Sequence, residues 1–159
     1  MKFSYRLQTL LDRKAEEQEQ AERALASAQG ELRVQRERLE AERRNQEEIA
    51  ARRDAFRRQP PATVTAEAMR YRADYLRGLD YDLDQAKDAV YAQRYAVEEA
   101  EEKLEQARAT LAEATRQAEV LRKHRDKAES RWKREAERKE ELEQEEIGSV
   151  MFEMRRRPS

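Results

Sequence analysis

The chain has 159 residues, of which 43% are charged, and its 34 Lys and Arg against 35 Asp and Glu leave a net charge of −1. With only three Gly and three Pro, and with Ala, Glu, Arg, Gln, Leu and Lys dominant, it is not composed like a globule. Such a chain forms long helices if its apolar residues are periodic and stays disordered if they are not. Balanced, interspersed charge offers no cationic face to nucleic acid, and the lack of cysteine excludes disulfides and thiolate metal sites.

The opening, MKFSYRLQTLL, lacks the apolar run of a signal peptide, and no later run approaches a membrane span. A cytoplasmic protein is the expectation. The first segment is free of proline up to Gln59. A heptad frame through it places Leu11, Gln18, Leu25, Leu32, Leu39, Gln46 and Arg53 in one row. Leu7, Lys14, Ala21, Ala28, Gln35, Glu42, Ile49 and Phe56 fall in the companion row. This periodicity predicts a helix over 4–57.

Pro60-Pro61 then breaks the chain, since two adjacent prolines remove amide donors and clash with the preceding turn. The predicted turn covers 58–65. Thr65 is the predicted N-cap of a second helix over 66–147, with Glu67 favourably placed against its dipole. Gly148 is its predicted stop, and 148–159 a frayed tail. Met69, Leu76, Leu83, Val90, Val97, Leu104, Leu111 and Ala118 recur every seven residues in this second segment, a repeat long enough to specify a coiled coil. The predicted fold is therefore a single all-α domain, a long antiparallel two-helix coiled-coil hairpin whose second helix is longer and overhangs.

Folding back at the prolines pairs residues whose numbers sum to 125. Leu25 then meets Ala100, Leu39 meets Ala86, Leu11 meets Ala114 and Phe56 meets Met69, so that large faces small in most layers. A slip by one heptad, to a sum of 132, needs a longer loop. In the expected register the first helix covers the second only to Leu121, leaving about 26 residues, or roughly 40 Å, uncovered. Leu121, Ala128, Trp132 and Leu142 continue the stripe there, which calls for an external partner.

Catalytic chemistry has no foothold. His124 is the only histidine, so Ser-His and Cys-His pairs are impossible, and it reads as a solvated helix residue. Phosphate-loop, dinucleotide and zinc-protease motifs are absent. The expectation is a protein that is not an enzyme and takes no metal, cofactor, small-molecule substrate or nucleic acid. Arg122 to Lys139 carries nine basic and four acidic residues, and five glutamates follow between Glu140 and Glu146. Trp132 within it is an interface type of residue. Tyr71, Tyr75, Tyr81, Tyr91 and Tyr95 cluster near the hairpin tip, off the seam rows, either flanking the seam or forming an aromatic docking surface. Gly78 among them marks a bend or a close backbone contact.

The string Phe3-Ser4-Tyr5-Arg6-Leu7-Gln8-Thr9-Leu10-Leu11, followed by a charged Ala/Glu/Gln-rich helix, resembles the opening of the flagellar export protein FliJ family. The resemblance implies a stalk-like antiparallel coiled coil. Such a stalk inserts into and stimulates a hexameric flagellar export ATPase, and also contacts the export-gate membrane protein and export chaperones. It further implies roles in flagellum biogenesis, motility and chemotaxis, a monomer in isolation, and a cytoplasmic location peripheral to the inner membrane. Phe3, Tyr5, Leu7 and Leu10 are the residues it carries over to the ATPase end, to which the reading of the overhang adds Leu121 and Trp132. The tyrosines are the candidate surface for the export gate. The alternatives are the equivalent stalk of a virulence type III secretion system and a self-associating coiled-coil scaffold.

Overall fold

The computed structural model describes residues 2–157. Helix α1 runs Gln8–Arg58 over 51 residues and α2 runs Ala66–Arg156 over 91. No strand occurs among the described residues. The fold is all-α, a helical hairpin, as the heptads predict.

The ends of the helices show what local chemistry controls. Residues 2–5 have no regular structure, and the turn at Arg6 and Leu7 is closed by Gln8 N–H to the Tyr5 carbonyl at 3.1 Å. Helix α1 thus starts at Gln8, not at residue 4. It ends where expected by proline chemistry, the Gln59 N–H shared between the carbonyls of Ala55 and Phe56 at 3.2 and 3.3 Å. Thr65 caps α2, its Oγ1 accepting from the Ala68 N–H at 3.1 Å.

Helix α2 does not stop at Gly148. It runs through to Arg156, so most of the predicted tail is helical, and the last two residues lie outside the described ones. A glycine stop needs a left-handed residue, and none of the described residues has positive φ. One glycine costs only about 1 kcal/mol of helix propensity, and Arg155 and Arg156 suit the negative end of the dipole. Gly78 likewise lies inside unbroken helix, and nothing stands within 4 Å of the position a Cβ would take there. It marks no close contact.

Two compact units divide the chain: Glu22–Thr110, and Met1–Ala21 with Leu111–Ser159. In the first, Leu32, Leu39, Val90, Val97, Ala100 and Leu104 form the buried cluster, with Leu25 and Ala28 packed on it. In the second, Tyr5, Leu11, Ala114 and Ala118 are buried.

The register differs from the expected one. Within 22–110, Gln93 Nε2 donates to the Gln35 carbonyl at 3.0 Å and to its Oε1 at 2.6 Å. Arg53 reaches Asp80 at 3.1 Å, Arg36 reaches Glu101 at 3.2 Å, and the Phe56 and Tyr75 rings lie 4.5 Å apart. The numbers in these pairs sum to between 128 and 137, centred near 132 and not 125. In the other unit Gln18 Nε2 donates to Thr115 Oγ1 at 3.4 Å, a sum of 133. The pairing has slipped by one heptad, so Phe56 meets Tyr75 in place of Met69.

Such a slip exchanges one seam residue for another and is nearly neutral for apolar burial. Charges then decide. A sum of 125 sets half-buried Arg53 against Arg72, whereas the observed pairing sets Arg53 beside Asp80 and leaves Arg72 free for another task. The longer connection this requires is a loop folded back along the first turns of α2, with Phe56, Pro60, Pro61, Ala68, Tyr71 and Arg72 lining a shallow groove.

Candidate interaction surfaces

In the unit that holds the N-terminus, residues 2–5 lie along α2. The Phe3 and Trp132 rings have centroids 5.9 Å apart and are tilted by 54°. The Tyr5 hydroxyl lies 2.7 Å from His124 Nδ1 and 3.5 Å from the Leu121 carbonyl, to which it donates. Phe3 and Tyr5, two residues apart, thus engage positions eight residues apart on α2. That is about 12 Å of helical rise, while two residues of helix advance only about 3 Å. A helix beginning at Ser4 could not span this, and an open segment with two aromatic side chains does.

The clasp changes the standing of the predicted residues. Phe3, Tyr5 and Trp132 are occupied in contacts within the chain, and Leu121 contributes its backbone carbonyl to Tyr5. Leu7 and Leu10 keep 36% and 40% exposure and remain as surface. His124 is not merely solvated, because it is the hydrogen-bond partner of Tyr5. The uncovered part of α2 begins after Trp132 and not after Leu121, which leaves about 24 residues, roughly 36 Å. Leu142, Ile147, Val150, Met151, Phe152 and Met154 are all more than half exposed along it. Of the basic stretch that leads into it, Arg122 is engaged with Gln18 Oε1 at 3.1 Å and Lys133 with Glu129 at 3.3 Å.

At the loop in the other unit, Arg72 was missed by sequence reasoning. Its Nη2 donates to the carbonyls of Phe56 and Arg57 at 3.0 and 3.1 Å, and its guanidinium sits 4.9 Å from the centre of the Phe56 ring. A helix ends with four carbonyls lacking partners, and Arg72 serves two of them. The available signal was an arginine at a seam position just after the break.

The tyrosines do not form one patch. Tyr75 packs against Phe56, the rings tilted by 57°. Tyr71 lines the loop groove and is exposed. Tyr81, Tyr91 and Tyr95 are exposed by 65%, 76% and 62%. Asp84 and Asp88 stand between them at the same spacing, a pattern legible in the sequence and overlooked in favour of the aromatic residues alone.

The electrostatics elsewhere are those of a solvated surface. Arg116, hydrogen-bonded to Glu113, holds that carboxyl below its ordinary value, with help from Gln117. Among the described residues no group of three His, Asp or Glu is placed to hold a metal ion, and no helix is long and apolar enough to cross a membrane.

No curated protein sequence matches the chain. The solved structure of CT670 from Chlamydia trachomatis, described as a candidate YscO homolog, superposes with a TM-score of 0.79 at 21% identity, covering 99% of this chain and 100% of that one. At that identity the likeness is one of fold. A family model for YscO-like proteins matches residues 2–158. Neither comparison carries the flagellar part of the resemblance to FliJ, nor motility or chemotaxis. With nearly its whole length matched, the chain belongs to the YscO-like protein family, which points to a stalk protein related to type III secretion.

Proposed function

We propose that the chain is a non-enzymatic coupling subunit of a type III export apparatus, a stalk that binds and stimulates the hexameric export ATPase. The observation that carries this reading is the single helix of α2 beyond Trp132. It is about 24 residues of uncovered helix with exposed apolar side chains, and a lone helix about 10–12 Å across fits an axial pore that excludes a globule. Basic residues before Lys139 and glutamates after it give that helix two electrostatic zones, which serve encounter rate and orientation more than affinity. Leu7 and Leu10 extend the same surface onto α1. The export gate and export chaperones are the further partners of this reading, and the exposed tyrosines are the surface offered to them.

The YscO-like match supports a stalk related to type III secretion. The F-S-Y-R-L-Q opening supports a flagellar form less than it did as bare sequence, because Phe3 and Tyr5 have a packing role that any stalk of this build would need. The test is ATPase activity of the purified ring with and without added protein. Truncation after Trp132 keeps the clasp and should abolish most of the stimulation. A truncated chain that stimulated as well as the full one would remove the uncovered helix from the mechanism. Loss of secretion with intact motility in a deletion strain would place the protein in a secretion system, and loss of motility would place it in the flagellum.

A further inference from the structure

The side of α2 turned away from the buried row carries a second heptad row. Tyr81, Asp84, Asp88, Tyr91 and Tyr95 follow at alternating steps of three and four, and Glu98 and Glu102 continue the row. Every one of these seven side chains is exposed. On an ordinary solvated coiled coil such positions mix both signs of charge in paired arrangements. Here the row contains no basic residue, and none of its carboxylates takes part in an ion pair among the described residues. From Tyr81 to Glu102 the chain holds seven acidic and two basic residues, against −1 for the whole. The two cations, Lys87 and Arg94, border the row and are themselves unpaired with it. Nearby residues do pair: Asp80 with Arg53, Glu101 with Arg36, and Glu105 with Arg108. The same row runs into paired residues at both ends, Arg77 with Asp74 and Glu105 with Arg108, so the unpaired stretch is the one from Tyr81 to Glu102.

We propose that this tyrosine–carboxylate row is a docking surface for a basic amphipathic helix of a partner protein, one presenting arginines at helical spacing. Three exposed tyrosine side chains are the complement of guanidinium groups, which stack on aromatic faces and also bind carboxylates in bidentate fashion. The spacing of three and four matches one face of a second helix. The row spans about 31 Å, five to six helical turns. A single helix laid along it buries less than a standard protein interface, so the contact is a reversible one. The proposal rests on reading the chain as a binding subunit and adds the chemistry of what its exposed tyrosines recognise.

The probe is a fluorescein-labelled synthetic helical peptide with arginines at i, i+3, i+4 and i+7, compared with the same peptide carrying glutamates in their place. Binding to the full-length chain is followed by fluorescence anisotropy. The arginine peptide should bind and the glutamate peptide should not. Tyr91→Ala with Tyr95→Ala should weaken binding at least tenfold at unchanged net charge, and Asp84→Asn with Asp88→Asn should weaken it and flatten its dependence on salt. All four side chains are exposed, so the melting curves should match the wild type. Unchanged affinity in the double tyrosine variant would mean non-specific charge attraction and would overturn the proposal. So would absence of binding. Self-association in sedimentation runs that disappears in the same variants would also overturn it, by making a second copy the occupant. Both variants should stimulate the ATPase ring normally. If the wild type binds the arginine peptide but fails to stimulate the ring, the stalk reading falls and the docking surface stands.

Discussion

Introduced cysteines decide the register directly, because the chain has none of its own. Leu32 and Ala100 belong to the same buried cluster, and their numbers sum to 132. Leu32→Cys with Ala100→Cys should therefore form a disulfide under mild oxidation. Leu25→Cys with Ala100→Cys, the pair favoured by folding tightly at the prolines, should not. The two alternatives differ by seven residues of helix, about 10.5 Å, and a disulfide tolerates a Cα separation of at most about 6.8 Å. The second pair is thus out of reach without unfolding. Losing most of a buried leucine costs about 2–3 kcal/mol in the reduced form, while closing a loop of about 70 residues restores about 4 kcal/mol by the chain-entropy estimate. The oxidised protein should then melt about 8–16 °C above its reduced form, at about 2–4 °C per kcal/mol for a chain of this size. Gel mobility under non-reducing conditions and circular dichroism read both effects. Efficient closure of the 25–100 pair together with failure of the 32–100 pair would refute the register and the charge argument behind it.

Arg72→Met should remove two hydrogen bonds to the end of α1 and the contact with the Phe56 ring, lowering stability by about 1–2 kcal/mol in denaturant melts. No loss would mean that water serves those carbonyls equally well. Trp132 is the single tryptophan, so its emission reports the clasp. Phe3→Ala should shift that emission to the red with no loss of helicity, and an unchanged spectrum would place the N-terminal segment elsewhere in solution. Arg116 depresses the Glu113 carboxyl in the folded state, so the contribution of that pair is complete above the ordinary carboxyl value of 4.5 and disappears as pH falls through the lower folded one. Glu113→Gln should melt slightly below the wild type at neutral pH and together with it in acid. A gap that persisted at low pH would point to a cause other than ionisation.

What the sequence determined by itself is the part governed by local chemistry and by period. Pro60-Pro61 ends α1, Thr65 begins α2, and the seven-residue rows identify which side chains face inward, because each of these depends on neighbours a few residues away. The outward row from Tyr81 to Glu102 was equally legible, since it obeys the same spacing. Three features were decided only by the tertiary structure. The register was one, because a seven-residue repeat is unchanged by a shift of seven, and the contacts of Arg53, Arg72 and Asp80 favour the slipped pairing over the shorter loop. The N-terminal segment was another, because Phe3 and Tyr5 find Trp132 and His124 more than a hundred residues away, and no local propensity encodes that encounter. The extent of uncovered α2 followed from both, because the length of a helix is set locally but its exposure is set by where its partner strand of chain happens to end.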